Sequence, residues 1–158
     1  MTRSLRLAVL FVVSMFLQWW WSAHLSLWGL APQILLVLTV CVAARLGAVA
    51  GMCYGFAWGL FLDVMRAQLF GANALALVLV GYGTGSARRQ LDVVSLASQA
   101  MVVFLMTWAY FLVTGLCGLV FMRTFLWVGW QAFLFDPLYN CALVPFVALF
   151  WEALVGKP

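Results

Sequence analysis

In this chain of 158 residues, 68% are apolar types, 16% are aromatic and only 8% are charged, too few polar groups to cover a water-soluble domain. The expected class is an all-α integral membrane protein. Its net charge of +4 rests on 8 basic and 4 acidic side chains, so it speaks to orientation in a bilayer and not to a nucleic-acid partner.

A membrane-crossing helix needs about 20 apolar residues, and the sequence divides into six such stretches, expected to form a six-transmembrane-helix bundle and a single domain over 1–158. The first, 5–21, follows Arg3 and Arg6 and closes on Trp19, Trp20 and Trp21, which read as an interfacial belt. The bulky Trp21 stands where cleavage after Ala23 would need a small residue, so this stretch is expected to be an uncleaved anchor. His24, just beyond the belt, reads as an interfacial anchor.

The second stretch, 30–46, begins with Pro32 in the tolerated first turn and is short, which suggests contact with thinner lipid or an extension to Leu46. The third, 48–64, carries Gly51, Gly55 and Gly59 at four-residue steps, with Asp63 at the next step. Such a row lets a second helix approach backbone to backbone, and serves either packing inside the bundle or docking of a partner helix. Asp63 faces the unfavourable end of its own helix dipole. It is expected to rely on Arg66 one turn on or on interfacial water, the alternative being a polar contact with a partner.

The fourth stretch, 72–87, opens near Asn73, which either caps the helix or bonds to a neighbour, and stops at Arg88 and Arg89. The fifth, 93–122, would be about 45 Å long at 1.5 Å per residue. It must tilt strongly, kink or project into water, with Gly115 and Gly118 as the expected bend. The apolar run 124–135, with Trp127, Trp130 and Leu134, reads as a short interfacial segment lying flat before the last helix. The sixth stretch, 137–155, is expected to start with Asp136 as N-cap, or as a functional acid, and Pro137 at the first helical position. Asn140, one turn in, needs a hydrogen-bond partner on helix three or five, and Pro145 should kink the helix.

With the N-terminus inside, Arg3, Arg6, Arg45, Arg88, Arg89 and Lys157 fall on the cytoplasmic side and only Arg66 and Arg123 outside. Both termini are then cytoplasmic. Arg45, Arg88 and Arg89 form a basic rim there, read as a stop-transfer signal or as a contact for acidic lipid heads or a cytosolic filament. Cys41, Cys53, Cys117 and Cys141 all fall in apolar stretches without ligand spacing and read as small buried residues. No cofactor, metal site or catalytic constellation is expected, because the acids Asp63, Asp92, Asp136 and Glu152 divide between two membrane faces.

Several features together resemble the bacterial rod shape-determining protein MreD family. They are the glycine row running into Leu60, Phe61, Leu62 and Asp63, then Gly71 with Ala74, Leu75 and Ala76, then Gly81, Tyr82 and Gly85 before a basic pair, and a last helix with Leu138, Tyr139, Asn140 and Pro145. The resemblance covers nearly the whole chain. It implies a non-catalytic membrane subunit of the cell-wall elongation machinery that binds the bitopic protein MreC and acts with the MreB filament, the glycosyltransferase RodA and a class B penicillin-binding transpeptidase, in contact with membrane lipid. The alternative is a substrate-binding subunit of an energy-coupling-factor type vitamin transporter. That class docks through small residues on its first helix, where this chain has Ala8 followed by Val12 and Phe16. An intramembrane enzyme ranks third.

Overall fold

The computed structural model describes residues 3–24, 33–66, 69–88 and 95–155. Expectations on Pro32, Arg89, Asp92 and Lys157, and on the side chains of His24 and Arg66, lie outside the described residues. Six helices follow in order: α1 (Arg3–His24), α2 (Ile34–Leu46), α3 (Ala48–Arg66), α4 (Ala72–Ala87), α5 (Leu96–Met122) and α6 (Trp130–Leu154). Helices α1, α3, α5 and α6 are long and apolar enough to cross a membrane, while α2 and α4 are apolar but shorter.

Helix α2 is short because it is central. Its 13 residues reach about 20 Å, every residue from Ile34 to Ala44 is buried, and it touches all five other helices. A helix that is apolar all round belongs in a core, so thinner lipid is not needed to explain its length. Gly47 alone links α2 to α3, at φ +100°, a conformation that glycine adopts without steric cost.

The glycine row of α3 is filled from within the chain. A Cβ on Gly51 would meet Ala43 of α2 at 2.5 Å and the Gly81 carbonyl of α4 at 3.1 Å; one on Gly55 would lie 2.6 Å from the Leu77 carbonyl and 3.2 Å from Thr39 Cγ2. On Gly59 it would run into the backbone of Ala74, and on Gly85 of α4 into the backbone of Ala48. As numbering rises in α3 it falls in α4, so the pair is antiparallel and α3 is bedded against both α2 and α4. Trp58, fully buried, then stacks on Phe11 at 5.7 Å and holds α1 to α3. Trp58 and Trp151 are thus core residues and not members of an interfacial belt.

Helix α5 runs through Gly115 and Gly118 without a break to Met122 and stops at Arg123 in the left-handed conformation. They make room for the returning chain: a Cβ on Gly115 would meet the Phe125 ring at 2.5 Å, and one on Gly118 would meet Leu126. The run 124–135 is not one flat helix either. Residues 125–129 form an extended strap, and the helix begins at Trp130 after Gly129.

Asp136 and Pro137 consequently stand inside α6, which corrects the N-cap reading. Pro137 has no N–H to offer the carbonyl of Phe133. Trp108 of α5 supplies the missing donor, its Nε1–H bonding that carbonyl at 3.3 Å while the two rings stack at 5.4 Å. This substitution of an indole donor for a backbone one lets the helix begin two turns before its proline.

Candidate functional site

At the end of the bundle where α2 and α4 begin, side chains from other helices satisfy their first backbone donors. The four leading N–H groups of any helix lack partners within it. In hydrocarbon each unmet donor would cost several kcal/mol, roughly. Asp63, 2% exposed at the end of α3, meets this need for α4. Its Oδ2 accepts from the N–H groups of Gly71 and Ala74 at 3.0 and 3.1 Å, and its Oδ1 from the N–H of Asn73 at 3.0 Å and from Asn73 Nδ2 at 2.7 Å. The carboxylate also sits at the positive end of the α4 dipole, which favours its charge.

Asn73 is therefore not the cap. Gly71 holds that position at φ +95°, and Asn73 serves as the link from Asp63 to α5, its Oδ1 accepting from the hydroxyl of Tyr110. One turn earlier on α5, Thr107 Oγ1 accepts from Asn140 Nδ2 at 3.1 Å. Asn140 Oδ1 in turn accepts from the backbone N–H of Gln33 at 3.1 Å, and Gln18 Oε1 from that of Leu35 at 3.4 Å, so α6 and α1 supply the cap of α2. Asn140 thus finds the α5 partner expected of it, together with a second one at the start of α2.

These two capped helix starts border a cavity of about 780 Å³. Gln33, Asn73, Tyr110, Thr114 and Asp136 give it polar walls, and Phe125, Leu126 and Trp127 of the strap close one side. Irregular backbone inside an apolar bundle is tolerated where it is buried in protein or borders such a space. Asp136 is buried and faces this cavity from the second turn of α6. Gln33 Oε1 is buried without a hydrogen-bond partner.

Arg6, Arg45 and Arg88 occupy the opposite end. Arg6 Nη1 donates to the Val155 carbonyl at 3.4 Å, and the Arg45 guanidinium lies 5.5 Å from the centre of the Trp151 ring. Arg88 is exposed just after α4. Cys41 and Cys117 are buried, but Cys53 is exposed, against the expectation that all four cysteines are buried.

The whole pattern, from the glycine row through Asp63 to Asn140, lies within one family match: the model of the rod shape-determining protein MreD matches residues 1–154. The chain belongs to the MreD family. Neither the curated proteins nor the solved structures gave a match. MreD proteins serve cell shape as part of the rod complex with MreB and MreC, and the apolar helices fit a transmembrane member. The family is structural and not known for enzymes, and it leaves the transporter-subunit reading without support.

In this MreD chain, several residues of the polar layer carry sequence signals that single-residue reading passes over. Gly81 and Gly85 form a second small-residue row, the mate of the α3 row. Thr107 and Tyr110 are polar residues three apart on α5, a spacing that puts both on one face. Gln18 and Gln33 are uncharged amides bounding the first two helices. No local rule says that Gln18 caps α2 or that Asn140 meets the backbone N–H of Gln33.

Proposed function

We propose that this MreD protein is a non-catalytic membrane subunit of the cell-wall elongation complex that maintains cell shape by binding an MreC-like bitopic protein and helping to organise peptidoglycan synthesis, with RodA and a class B penicillin-binding transpeptidase in the same assembly. All six helices belong to one membrane domain in this reading, with both termini in the cytoplasm and the protein in the bacterial inner membrane. The observation that carries it is the family match along nearly the whole chain. A scaffold role is supported by how the buried polar groups are spent: Asp63 is occupied by donors at the start of α4, and Asn73, Thr107, Tyr110 and Asn140 bond one another or helix starts. A catalytic carboxylate would need to meet a substrate proton instead.

The glycine row enters this reading as internal packing. Gly51, Gly55 and Gly59 are buried against α2 and α4, so a partner helix docks elsewhere on the bundle. Photo-crosslinking in native membranes, with attached proteins identified by mass spectrometry, tests the proposal. Recovery of the MreC-like partner and the peptidoglycan synthases is expected. Recovery of transport subunits, with no cell-wall protein among the products, would overturn it.

A further inference from the structure

The end of the bundle opposite the cavity gathers arginines from three parts of the chain. Arg6 comes from the first turns of α1, Arg45 from the last turn of α2, and Arg88 from the residue after α4. Their contacts place them together. Arg6 bonds the carbonyl of Val155, one turn beyond Trp151, and Arg45 lies over the ring of Trp151. Arg88 Nη1 lies 3.7 Å from where a Cβ on Gly47 would stand, two residues after Arg45.

Among the described residues none of the three forms an ion pair with a carboxylate, and neither does Glu152 beside Trp151, which is exposed. Each guanidinium carries five N–H donors. The hydrogen bonds they make use one donor of Arg6, on Val155, and one of Arg45, on Cys41 Sγ at 2.7 Å. Arg45 Nε is buried with no acceptor among the described residues. Capping helix ends accounts for the Arg6 bond to Val155, but it leaves the charge of Arg45 and Arg88 unanswered.

We propose that Arg6, Arg45 and Arg88 form a cradle for the phosphate of an anionic phospholipid. Depth argues for a lipid over a soluble anion or an acidic protein. Arg45 lies half-buried in the last turn of an apolar core helix with its guanidinium over the Trp151 ring, so its charge stands at the level where apolar helix gives way to the polar end of the bundle. That is the level of lipid phosphates. Guanidinium forks match phosphate oxygens in pairs, and an anionic membrane surface attracts basic residues beside it. The exposed Leu5 on α1 and Leu149 on α6 offer apolar flanks on the same two helices for acyl chains. Occupancy of this cradle does not depend on docking of the MreC-like partner.

The test uses the purified full chain in detergent, with phosphatidylglycerol or phosphatidylcholine added and binding read by native mass spectrometry and by thermal shift. Phosphatidylglycerol is expected to bind at least ten times tighter than phosphatidylcholine and to raise the unfolding midpoint, an effect that shrinks in high salt. Arg45→Gln should lose most of this preference. Arg88→Gln, at an exposed position that does not threaten folding, should lose part of it, and Arg123→Gln at the other end none. Unchanged phosphatidylglycerol preference in a folded Arg6→Gln/Arg45→Gln/Arg88→Gln variant would overturn the cradle. Equal stabilisation by millimolar inorganic phosphate would overturn the lipid assignment and leave a free-anion site.

Discussion

The carboxylate of Asp63 accepts both the backbone N–H of Asn73, at 3.0 Å, and its side-chain amide, at 2.7 Å. One acid on α3 thus starts α4 and fixes the amide whose oxygen receives Tyr110 of α5. Three helices are registered by three side chains. An acid at this depth commonly signals chemistry; here its four donors assign it to architecture.

Asp63→Asn should destabilise the fold. Whichever way the new amide turns, its NH₂ faces two donors that formerly met oxygen, and leaving each unmet costs about 1 to 3 kcal/mol. A total loss of about 2 to 6 kcal/mol is expected, read as a lowered unfolding midpoint in detergent. Loss of cell-shape function with an unchanged midpoint would contradict the capping role and point to chemistry at that carboxylate.

Gly55→Leu and Gly59→Leu should lower accumulation and stability. Each added side chain grows into the backbone of α4, and overpacking of this kind costs about 1 to 3 kcal/mol or more. Phe56→Leu, on the exposed face between them, is the control and should be nearly neutral. Equal protein levels in all three variants would mean that α3 and α4 do not meet through the glycine row.

Removing the Tyr110 hydroxyl in Tyr110→Phe leaves the Asn73 oxygen with one partner fewer, at a cost of about 1 to 2 kcal/mol. A double-mutant cycle with Asn73→Ala should return a coupling of about 0.5 to 3 kcal/mol. Additive effects in the unfolding measurement would show that the two side chains do not interact.

Trp108→Phe keeps the ring stack on Phe133 but removes the indole donor that stands in for the N–H absent from Pro137. The exposed edge of this contact limits the expected loss to about 1 kcal/mol. In a Pro137→Ala background, where the helix supplies its own donor to Phe133, the same Trp108→Phe change should cost clearly less. An identical cost in both backgrounds would refute the substitution of donors.

The proposed six membrane crossings with both termini in the cytoplasm can be tested directly. In a background lacking the native cysteines, single cysteines at positions 4, 90 and 156 should react with an impermeant thiol reagent only from the cytoplasm, and one at 26 only from outside. Labelling of position 90 from outside would sink the six-crossing arrangement.

By itself the sequence determined the membrane class, because 8% charged residues cannot solvate a surface. It also determined the small-residue row, because a four-residue repeat of glycine can only make a smooth helix face, and it carried enough of the family pattern for the resemblance to MreD. Those are properties of composition and of neighbours along one helix. Tertiary structure decided what fills the row, since Gly55 meets Leu77 and Thr39 only once α2, α3 and α4 are in register. It decided that α2 is the core, which its apolar length alone leaves undistinguished from a span in lipid. It moved Asp136 from a helix start to a helix interior, because Trp108, far away in sequence, replaces the donor that Pro137 lacks. And it paired Gln33 with Asn140 across 107 positions. Capping rules look three or four residues ahead, whereas in this bundle the groups that satisfy a helix start are brought by other helices, and only packing sets which ones arrive.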